Sequence, residues 1–343
     1  MRGCELRNTH IPSDQGSQRE FYFLLRGDNE YLALGELRAL LEAYNEYSKM
    51  HCYTMLCTVE TRGEVAREVV NRAGFIKEAG VVHGVYDVFC EKDAVNAGKV
   101  VSGKPVYSTI LKATVSDEDA LRFLKSSGIK RSYRRDLGYR LYFTDGYAVL
   151  GSALYVGELN RAIEKSRSRP FKRSIALKPD LARALVNLTR ARRGDVLVDP
   201  FAGTGMVIIE AWSMGVLGLG VDIDYRVARG MRSNIEFYRA PLIPLIGDSS
   251  VLLFREVDRV ATDLPYGRGA STHGVEIREL YESFIQRMSE YLSSRGYASF
   301  LAPIWLEDYV DELITRYGFR LVERYYDYVH GELVRVVSVV RKW

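Results

Sequence analysis

The sequence predicts an α/β fold in which a doubly wound sheet fills the second half of the chain and smaller α+β regions precede it. From residue 178 onward, apolar runs typical of strands alternate with segments of helical periodicity. One run passes through a glycine-rich turn into a helical segment, and acidic residues stand at the ends of the runs that follow. The last two runs straddle residues 330–332 and predict a terminal hairpin, which makes the sheet mixed.

The first half of the chain divides into smaller predicted parts. Apolar runs at 21–25 and 53–59 predict strands, and helical periodicity covers 34–47 and 64–72, which together suit an α+β unit. The predicted segments are a polar leader at 1–18, a first α+β domain at 19–100, a second α+β domain at 101–156, a basic linker at 157–174 and the doubly wound domain at 175–343.

Composition predicts a soluble globular protein of more than one domain. The chain has 343 residues, of which 47% are apolar and 27% charged. No apolar stretch approaches the ~20 residues that span a membrane, and the polar start lacks a signal-peptide pattern, so we expect a cytoplasmic location. The cysteines lack Cys-x-x-Cys spacing, which predicts free thiols and no metal site; they are Cys4, Cys52, Cys57 and Cys90.

A glycine-rich turn with the sequence DPFAGTG occupies residues 199–205, between an apolar run and a helical segment. Glycines allow a ligand to touch the backbone there. The leading Asp199 would repel a pyrophosphate but suits a cationic ammonium, as in S-adenosylmethionine. Neither the dinucleotide-binding nor the P-loop glycine spacing occurs at this turn. The alternative is an ordinary glycine turn with a structural aspartate.

Further acids stand at the ends of the next two predicted strands. Asp222 lies about twenty residues after the glycine turn, where a carboxylate can accept hydrogen bonds from both ribose hydroxyls. Asp224 is the second candidate for this role, or else a helix N-cap. Asp248 ends the third run, predicted at 242–246, and would accept a bond from an adenine amino group or serve as a turn residue.

The sequence DLPY follows the fourth run, and its Asp263 lies 64 residues after Asp199. These residue types suit methyl transfer to an exocyclic amine, because the lone pair of such an amine is delocalised into its ring. The Asp263 carboxylate and the Leu264 carbonyl can accept hydrogen bonds from both N–H groups of the amine and so localise its lone pair on nitrogen. Pro265 fixes the backbone, and Tyr266 offers a stacking face worth roughly 1–3 kcal/mol. The alternative is a buried turn with a capping aspartate.

DLPY resembles the Asp/Asn-Pro-Pro-Tyr motif of Rossmann-fold amino-methyltransferases, with leucine at the first proline. Related RNA enzymes that carry a THUMP domain have Asp-Leu-Pro there. Residues 169–188 are similar to the segment before the cofactor motif in archaeal tRNA guanine-10 N2-methyltransferases, which fuse a ferredoxin-like and THUMP module to a class I methyltransferase domain. The resemblance is strong over residues 169–270, weaker over 100–157, and rests on the order of parts before that.

The resemblance implies methylation of a tRNA guanosine at position 10, with S-adenosylmethionine as cofactor, and it adds ferredoxin-like and THUMP labels to the two N-terminal domains. The candidate catalytic residues are Asp263, Leu264, Pro265 and Tyr266. The candidate cofactor-binding residues are Asp199, Phe201, Gly203, Thr204, Gly205, Asp222, Ile223, Asp248 and Asp263. Whether one or two methyl groups are added is left open, as are the oligomeric state and a small activating subunit.

A basic band is the notable feature of the charge distribution. Residues 122–193 hold 18 Lys and Arg against 5 Asp and Glu, although the whole chain carries only +4. Interleaved aromatic residues suit phosphate contacts with base stacking, so we expect tRNA binding here. The alternative is a solvated face with a charged linker. The candidate RNA-binding residues are Lys130, Arg131, Arg134, Arg135, Arg167, Arg169, Lys172 and Arg173.

Three other hypotheses compete with this one. An amino-methyltransferase acting on another tRNA guanosine, on adenine or on DNA is the nearest, and aspartate rather than asparagine at 263 favours guanine. A non-catalytic RNA-binding protein with a scaffold Rossmann domain is disfavoured by the intact DLPY motif. A nicotinamide oxidoreductase is disfavoured by the missing third glycine and by the acid that leads the turn.

Overall fold

A computed structural model describes residues 18–46, 49–112, 114–135, 138–173, 176–249, 254–266, 276–330 and 333–342. The predicted leader therefore lies outside the described residues, apart from residue 18. The chain divides into two compact units. Unit 1 comprises Met1–Ala33, Glu46–Asn71 and Ile76–Gly157, and unit 2 comprises Leu34–Asn45, Arg72–Phe75 and Glu158–Trp343. In the part of the chain that is described, no helix combines the length and apolarity needed to cross a membrane.

Unit 1 is built on one eight-stranded sheet with the strand order β2-β3-β1-β4-β8-β7-β5-β6. Its strands are β1 (Arg19–Leu25), β2 (Met50–Tyr53), β3 (Leu56–Thr61), β4 (Ile76–Asp87), β5 (Val106–Ile110), β6 (Arg131–Ser132), β7 (Tyr139–Thr144) and β8 (Tyr147–Val156). The helices in this part of the sequence are α1 (Glu30–Ala43), α2 (Gly63–Arg72), α3 (Glu91–Val101) and α4 (Asp117–Ser127).

The first six elements follow the β-α-β-β-α-β order of the ferredoxin-like motif, and their four strands are adjacent and antiparallel. The domain boundary predicted after residue 100 falls at the end of α3. Strands from both sides of this boundary nevertheless belong to one sheet, because β4 pairs with β8. The division of this region into two domains stays a prediction.

The hairpin of β2 and β3 corrects two sequence predictions. Residues 53–59 are predicted as one strand, but β2 ends at Tyr53 and β3 begins at Leu56. The turn between them includes Met55, which has a φ of 62° in the left-handed region. Cys52 and Cys57 stand directly opposite each other across this hairpin and form a disulfide with a Cα–Cα distance of 4.1 Å. The prediction of free thiols is wrong for this pair, because cross-strand partners bring their Cβ atoms together. Cys90 is a free cysteine, and Cys4 lies outside the described residues.

Unit 2 contains a seven-stranded sheet with the order β11-β10-β9-β12-β13-β15-β14. Its strands are β9 (Val196–Asp199), β10 (Leu217–Asp222), β11 (Leu245–Ile246), β12 (Val257–Asp263), β13 (Leu292–Pro303), β14 (Phe319–His330) and β15 (Leu333–Lys342). Its helices are α5 (Leu159–Arg167), α6 (Pro179–Leu188), α7 (Met206–Ser213), α8 (Tyr225–Tyr238), α9 (Ile277–Tyr291), α10 (Glu307–Arg316) and a short 3-10 helix at Ile304–Leu306.

Strands β9 to β13 are parallel to one another, whereas β15 runs antiparallel to both β13 and β14. This confirms the predicted doubly wound mixed sheet with a terminal hairpin. A buried cluster that includes Val260, Phe284, Met288 and Phe300 packs α9 against β12 and β13. That packing fixes the position of the carboxyl end of β12, where the DLPY motif begins.

Two details of unit 2 differ from the predicted elements. The segment at 157–174 contains the helix α5, which buries Leu159 and Ser166 on one face while its charged side chains lie outward. That this segment links two domains stays a prediction. The strand predicted at 242–246 is only the two-residue β11. Pro244 lacks the backbone N–H that a ladder hydrogen bond needs, which explains why the strand starts late.

The buried ion pair between α6 and α7 gives a first stability prediction. Arg183 Nε donates to Glu210 Oε2 at 2.7 Å, and both side chains are buried. We expect Glu210→Ala to lower the free energy of unfolding by about 3–5 kcal/mol, because it leaves a buried guanidinium without its counter-charge. The matched control is Glu236→Ala, which removes an exposed pair to Arg232 within α8 and should cost less than about 0.5 kcal/mol. Urea unfolding measures both, and equal costs would contradict the prediction.

Candidate active site

Three predicted site acids meet at one edge of the unit 2 sheet. Asp199 ends β9, Asp222 ends β10 and Asp263 ends β12, and β9 lies between the other two strands. The carboxyl ends of adjacent parallel strands form the edge at which open α/β sheets bind ligands. The structure therefore brings together residues that lie up to 64 positions apart in the chain.

The glycine turn after β9 needs both of its glycines. Gly203 has a φ of 54° and Gly205 a φ of 82°, in the left-handed region that disfavours other residues. A Cβ at Gly203 would meet nothing closer than the Phe201 carbonyl oxygen at 3.9 Å, so this face of the turn is open. A Cβ at Gly205 would lie 2.8 Å from Met231 Cγ. Gly203 thus leaves room for a ligand, and Gly205 allows α7 and α8 to pack closely.

Asp199 is a buried acid, with 1% of its surface exposed. Its Oδ1 accepts hydrogen bonds from Thr262 Oγ1 at 2.6 Å and from the Phe201 N–H at 3.1 Å. Burial, with a smaller contribution from the nearby Asp263 and Asp222 carboxylates, raises the pKa of Asp199 to about 7, while the two hydrogen bonds act in the opposite direction. A cation bound beside this carboxyl group would stabilise its charged form.

Asp222 and Asp224 take different roles. Asp222 accepts the Gly203 N–H at 3.0 Å and the Asp224 N–H at 2.9 Å, so it is tied to the glycine turn. Burial raises the pKa of Asp222. Asp224 caps α8 by accepting the Arg226 N–H at 2.8 Å. The N-cap alternative for Asp224 is therefore what the structure has, and Asp222 keeps the proposed ribose role.

The remaining cofactor candidates surround these acids. Thr204 is buried in the turn, and Ile223 is half exposed beside Asp222. Phe201 packs edge-on against Phe284 of α9, with ring centroids 5.7 Å apart. Asp248 follows β11, whose neighbour Gly247 donates its N–H to the Asp222 carbonyl at 3.1 Å. The adenine role of Asp248 stays a prediction.

The DLPY motif forms a compact group at the end of β12. The Tyr266 hydroxyl donates to Asp263 Oδ1, and the Pro265 carbonyl accepts the Tyr281 hydroxyl at 3.3 Å. Leu264 is buried in the core between the sheet and α9. Burial raises the pKa of Asp263 to about 6, while its contact with Tyr266 and the charge of Arg335 act in the opposite direction. A carboxylate is therefore available at neutral pH to accept a donor.

A family model described as an RMKL-like methyltransferase domain (UPF0020) matches residues 166–312 of this chain. A tRNA (guanine(10)-N2)-dimethyltransferase of Methanothermobacter thermautotrophicus is 37% identical over 180 residues, which cover 52% of this chain and 53% of that protein. The chain thus spans about half the length of that relative. A probable tRNA (guanine(10)-N2)-dimethyltransferase of Methanothermococcus thermolithotrophicus is 33% identical over 172 residues, or 47% of this chain and 98% of that protein. The chain belongs to this dimethyltransferase family.

Similarity to the family extends beyond the doubly wound domain. A tRNA (guanine(10)-N2)-dimethyltransferase of Pyrococcus abyssi is 28% identical, with 93% of this chain and 99% of that protein covered. The crystal structure of TrmN from Thermus thermophilus matches 95% of this chain and 100% of that chain with a TM-score of 0.55 at 20% identity, which is a similarity of fold. Unit 2 therefore has the class I methyltransferase-like α/β fold that its strand order describes.

The RNA-binding candidates of this family member fall in both units. In unit 1, Lys130, Arg131 and Arg134 are exposed, and Arg131 lies over the exposed Tyr133 ring at 5.9 Å. Arg135 is exposed but donates to the buried Glu78 at 3.1 Å. In unit 2, the structure exposes Arg167, Lys172 and Arg173.

Arg169 differs from the other basic candidates because it is buried. Its guanidinium donates to the carbonyls of Ser166 at 3.1 Å and Phe171 at 3.3 Å, and burial lowers its pKa. These contacts give Arg169 a structural role, so we leave it out of the proposed RNA surface. The sequence could not distinguish it from its exposed neighbours, because all lie in one basic run.

Sequence reasoning missed three groups that hold the site together. Thr262 links Asp199 to the strand that carries Asp263. Asn234 of α8 is fully buried and donates to the Thr204 and Phe171 carbonyls at 2.9 and 3.0 Å, which ties the segment before α6 to the glycine turn. Arg335 of β15 acts on Asp263 and Tyr266 from the terminal hairpin. None of these residues belongs to a motif that would have indicated its role.

In the described residues, no group of three or more His, Cys, Asp or Glu side chains could hold a metal ion. The arrangement offers instead an open glycine turn, an aspartate tied to that turn and a half-buried aspartate beside a tyrosine. It can hold a ligand with a cationic part and a diol at the turn, and it can accept a hydrogen bond from a second molecule at Asp263.

Proposed function

We propose that this protein transfers a methyl group from S-adenosylmethionine to the exocyclic N2 amine of a guanosine in tRNA, at position 10. The observation that carries the proposal is the hydrogen bond from Thr262 to Asp199, which joins the glycine turn to the strand that ends in Asp263. Cofactor and acceptor sites therefore share one edge of the sheet. The tRNA (guanine(10)-N2)-dimethyltransferase names of the relatives support tRNA as substrate.

The residues at the turn fit S-adenosylmethionine. The open face at Gly203 accommodates a ligand against the backbone, Asp222 offers carboxylate oxygens for ribose hydroxyls, and buried Asp199 suits the ammonium group. When bound, S-adenosylmethionine supplies a methyl group on a positively charged sulfur. Ile223, Phe201, Thr204, Gly205 and Asp248 complete the proposed binding set.

The residues of the DLPY motif activate the acceptor amine. Asp263 and the Leu264 carbonyl accept hydrogen bonds from its two N–H groups, which directs the nitrogen lone pair at the methyl group. The Asp263 carboxylate also offsets the positive charge that develops on nitrogen. Holding the amine near its target contributes roughly 7–11 kcal/mol by positioning. Tyr266 supplies a face for the base, and its hydroxyl bonds one of the two Asp263 carboxylate oxygens.

The N-terminal region binds tRNA in this proposal, as a ferredoxin-like domain at 19–100 followed by a THUMP domain at 101–156. The exposed side chains of Lys130, Arg131 and Arg134 would contact phosphates, since A-form RNA offers little sequence readout in its grooves. The target guanine must leave its stack to reach Asp263. We place the enzyme in the cytoplasm with its tRNA substrate.

Unmodified tRNA transcripts and methyl-labelled S-adenosylmethionine test the proposed function. We expect label only in N2-methylguanosine or N2,N2-dimethylguanosine after nuclease digestion and mass spectrometry, and the ratio of the two gives the methyl count. The control transcript carries another base at position 10, with its pairing partner changed to preserve the helix. Equal labelling of both transcripts would move the target elsewhere, and label in adenosine would refute the N2 chemistry.

A further inference from the structure

The terminal hairpin places an ion pair beside the DLPY motif. Arg335 of β15 and Asp327 of β14 face each other in register, and Arg335 Nε donates to Asp327 Oδ2 at 3.1 Å. Only 8% of the Arg335 surface is exposed. The neighbouring residue of β13 in the same register is Pro303, at the carboxyl edge of the sheet. A buried cation is thus fixed at the edge that carries Asp263.

Arg335 continues this arrangement into the reaction motif. Its guanidinium interacts with the Tyr266 hydroxyl, and that hydroxyl donates to Asp263. The four side chains form a series in which Asp327 pairs with Arg335, Arg335 interacts with Tyr266, and Tyr266 contacts Asp263. Arg335 thus links the terminal hairpin to a proposed catalytic tyrosine.

The series matters because the Tyr266 hydroxyl bonds Asp263 Oδ1, one of the two carboxylate oxygens that can accept the substrate amine. The position of Tyr266 therefore affects how Asp263 presents its oxygens to the amine. The contact of Arg335 with the tyrosine hydroxyl limits where the ring can move when it becomes the stacking face for the base.

The charge of Arg335 acts on Asp263 as well. The charged and titratable groups that act on Asp263 or respond to it, among the described residues, are Tyr266, Tyr281, Asp199, Asp327 and Arg335. Arg335 is the cation in this set. Its charge lowers the pKa of Asp263, whereas Asp327 raises it. Removal of Arg335 should therefore raise the pH at which the rate is half-maximal, and removal of Asp327 should lower it.

We propose that Arg335, held by Asp327 at the edge of the sheet that carries the DLPY motif, is a positioning residue for methyl transfer that orients the Tyr266 hydroxyl beside Asp263. This inference rests on the proposed function. Arg335 does not touch the reacting atoms in this scheme, and its effect passes through Tyr266 and Asp263.

Single-turnover methylation rates between pH 5 and pH 9 test the inference, with tRNA and S-adenosylmethionine saturating. We expect Arg335→Met to move the half-maximal rate upward by about one pH unit and to lower the rate at pH 6 about fivefold, since Asp263 would be about half ionised there in the wild type and about one-tenth ionised in the variant. Asp327→Asn should move the midpoint downward. Arg335→Lys keeps the charge and should have the wild-type midpoint. Its rate should stay below that of the wild type, because lysine lacks the planar set of N–H donors with which the guanidinium contacts its partners.

Arg324→Met is the matched control, since Arg324 lies on β14 and pairs with Glu307 at 2.8 Å and with Asp311. Its removal tests the hairpin without touching the motif, and its pH profile should equal that of the wild type. If Arg335→Met does not fold, Asp327→Asn still reports a shift of the midpoint, and Arg335→Lys still reports the loss of rate.

The inference is overturned if wild-type enzyme methylates guanosine N2 but Arg335→Met and Asp327→Asn both keep its midpoint. The inference is also overturned if the rates of the variants fall by the same factor at every pH and that factor follows their loss of thermal stability, because a purely structural role would then account for the loss. Absence of N2-methylated guanosine with the wild type would instead refute the proposed function, and the inference with it.

Discussion

Asp263→Ala is expected to reduce the rate of methyl transfer by roughly 10²–10⁴-fold, the range over which a positioned acid or base contributes to catalysis. The substitution removes the carboxylate that accepts an amine N–H and offsets the charge on nitrogen. Affinity for S-adenosylmethionine and tRNA should change little, because the glycine turn and the basic surface keep their residues. Single-turnover kinetics give the rate, and calorimetry and filter binding give the two affinities.

The Asp263 prediction has an internal comparison and a matched control. Asp263→Asn retains an oxygen acceptor without charge and should fall between alanine and the wild type. Asp258→Ala removes an exposed aspartate at the other end of β12, where it bonds Ser293, and should leave the rate unchanged. Wild-type rates in Asp263→Ala would rule out the proposed acceptor, and a loss of cofactor affinity equal to the loss of rate would assign Asp263 to binding instead.

Asp199 is expected to make cofactor binding depend on pH. Its pKa of about 7 in the ligand-free protein arises from burial, and an ammonium group beside it favours the charged form. Affinity for S-adenosylmethionine should therefore fall about tenfold for each pH unit below 7 and level off above it. Isothermal calorimetry between pH 5.5 and pH 8 measures this. 5′-Methylthioadenosine, which lacks the ammonium, serves as the control ligand and should not show this dependence.

Asp199→Asn should weaken cofactor binding and stabilise the protein at the same time. The folded-state pKa lies above the usual 3.8, so the acid costs stability once the pH exceeds 3.8, and the full cost applies above about pH 7. Replacing it with an amide of the same shape should raise the free energy of unfolding at pH 8 by up to about 4 kcal/mol, with no gain below pH 4. Affinity that stays independent of pH, or an Asn variant less stable at pH 8, would contradict this account.

The local patterns that the sequence predicted correctly depend on neighbouring residues. The DPFAGTG turn, the helix after it and the strand ending in Asp263 follow from apolar runs and glycines, whose preferences are set by backbone sterics. The terminal hairpin follows in the same way from two alternating runs. The strand at 53–59 failed because its central residues support both a strand and a tight turn, and only the pairing of β2 with β3 decides between them.

By itself, the sequence determined the doubly wound order of unit 2, the glycine turn and the acids that end its strands, because periodicity and turn chemistry act over a few residues. Only the tertiary structure decided that Asp224 caps a helix, that Arg169 is buried, that Cys52 meets Cys57, and that Arg335 stands beside Asp263. Arg169 is distinguished by burial and Arg335 by partners distant in the chain, whereas Asp224 and Cys52 meet partners two and five residues away through the backbone geometry of a helix start and a hairpin. Identical residue types in one sequence pattern acquire different roles when folding removes some of them from water and brings others together.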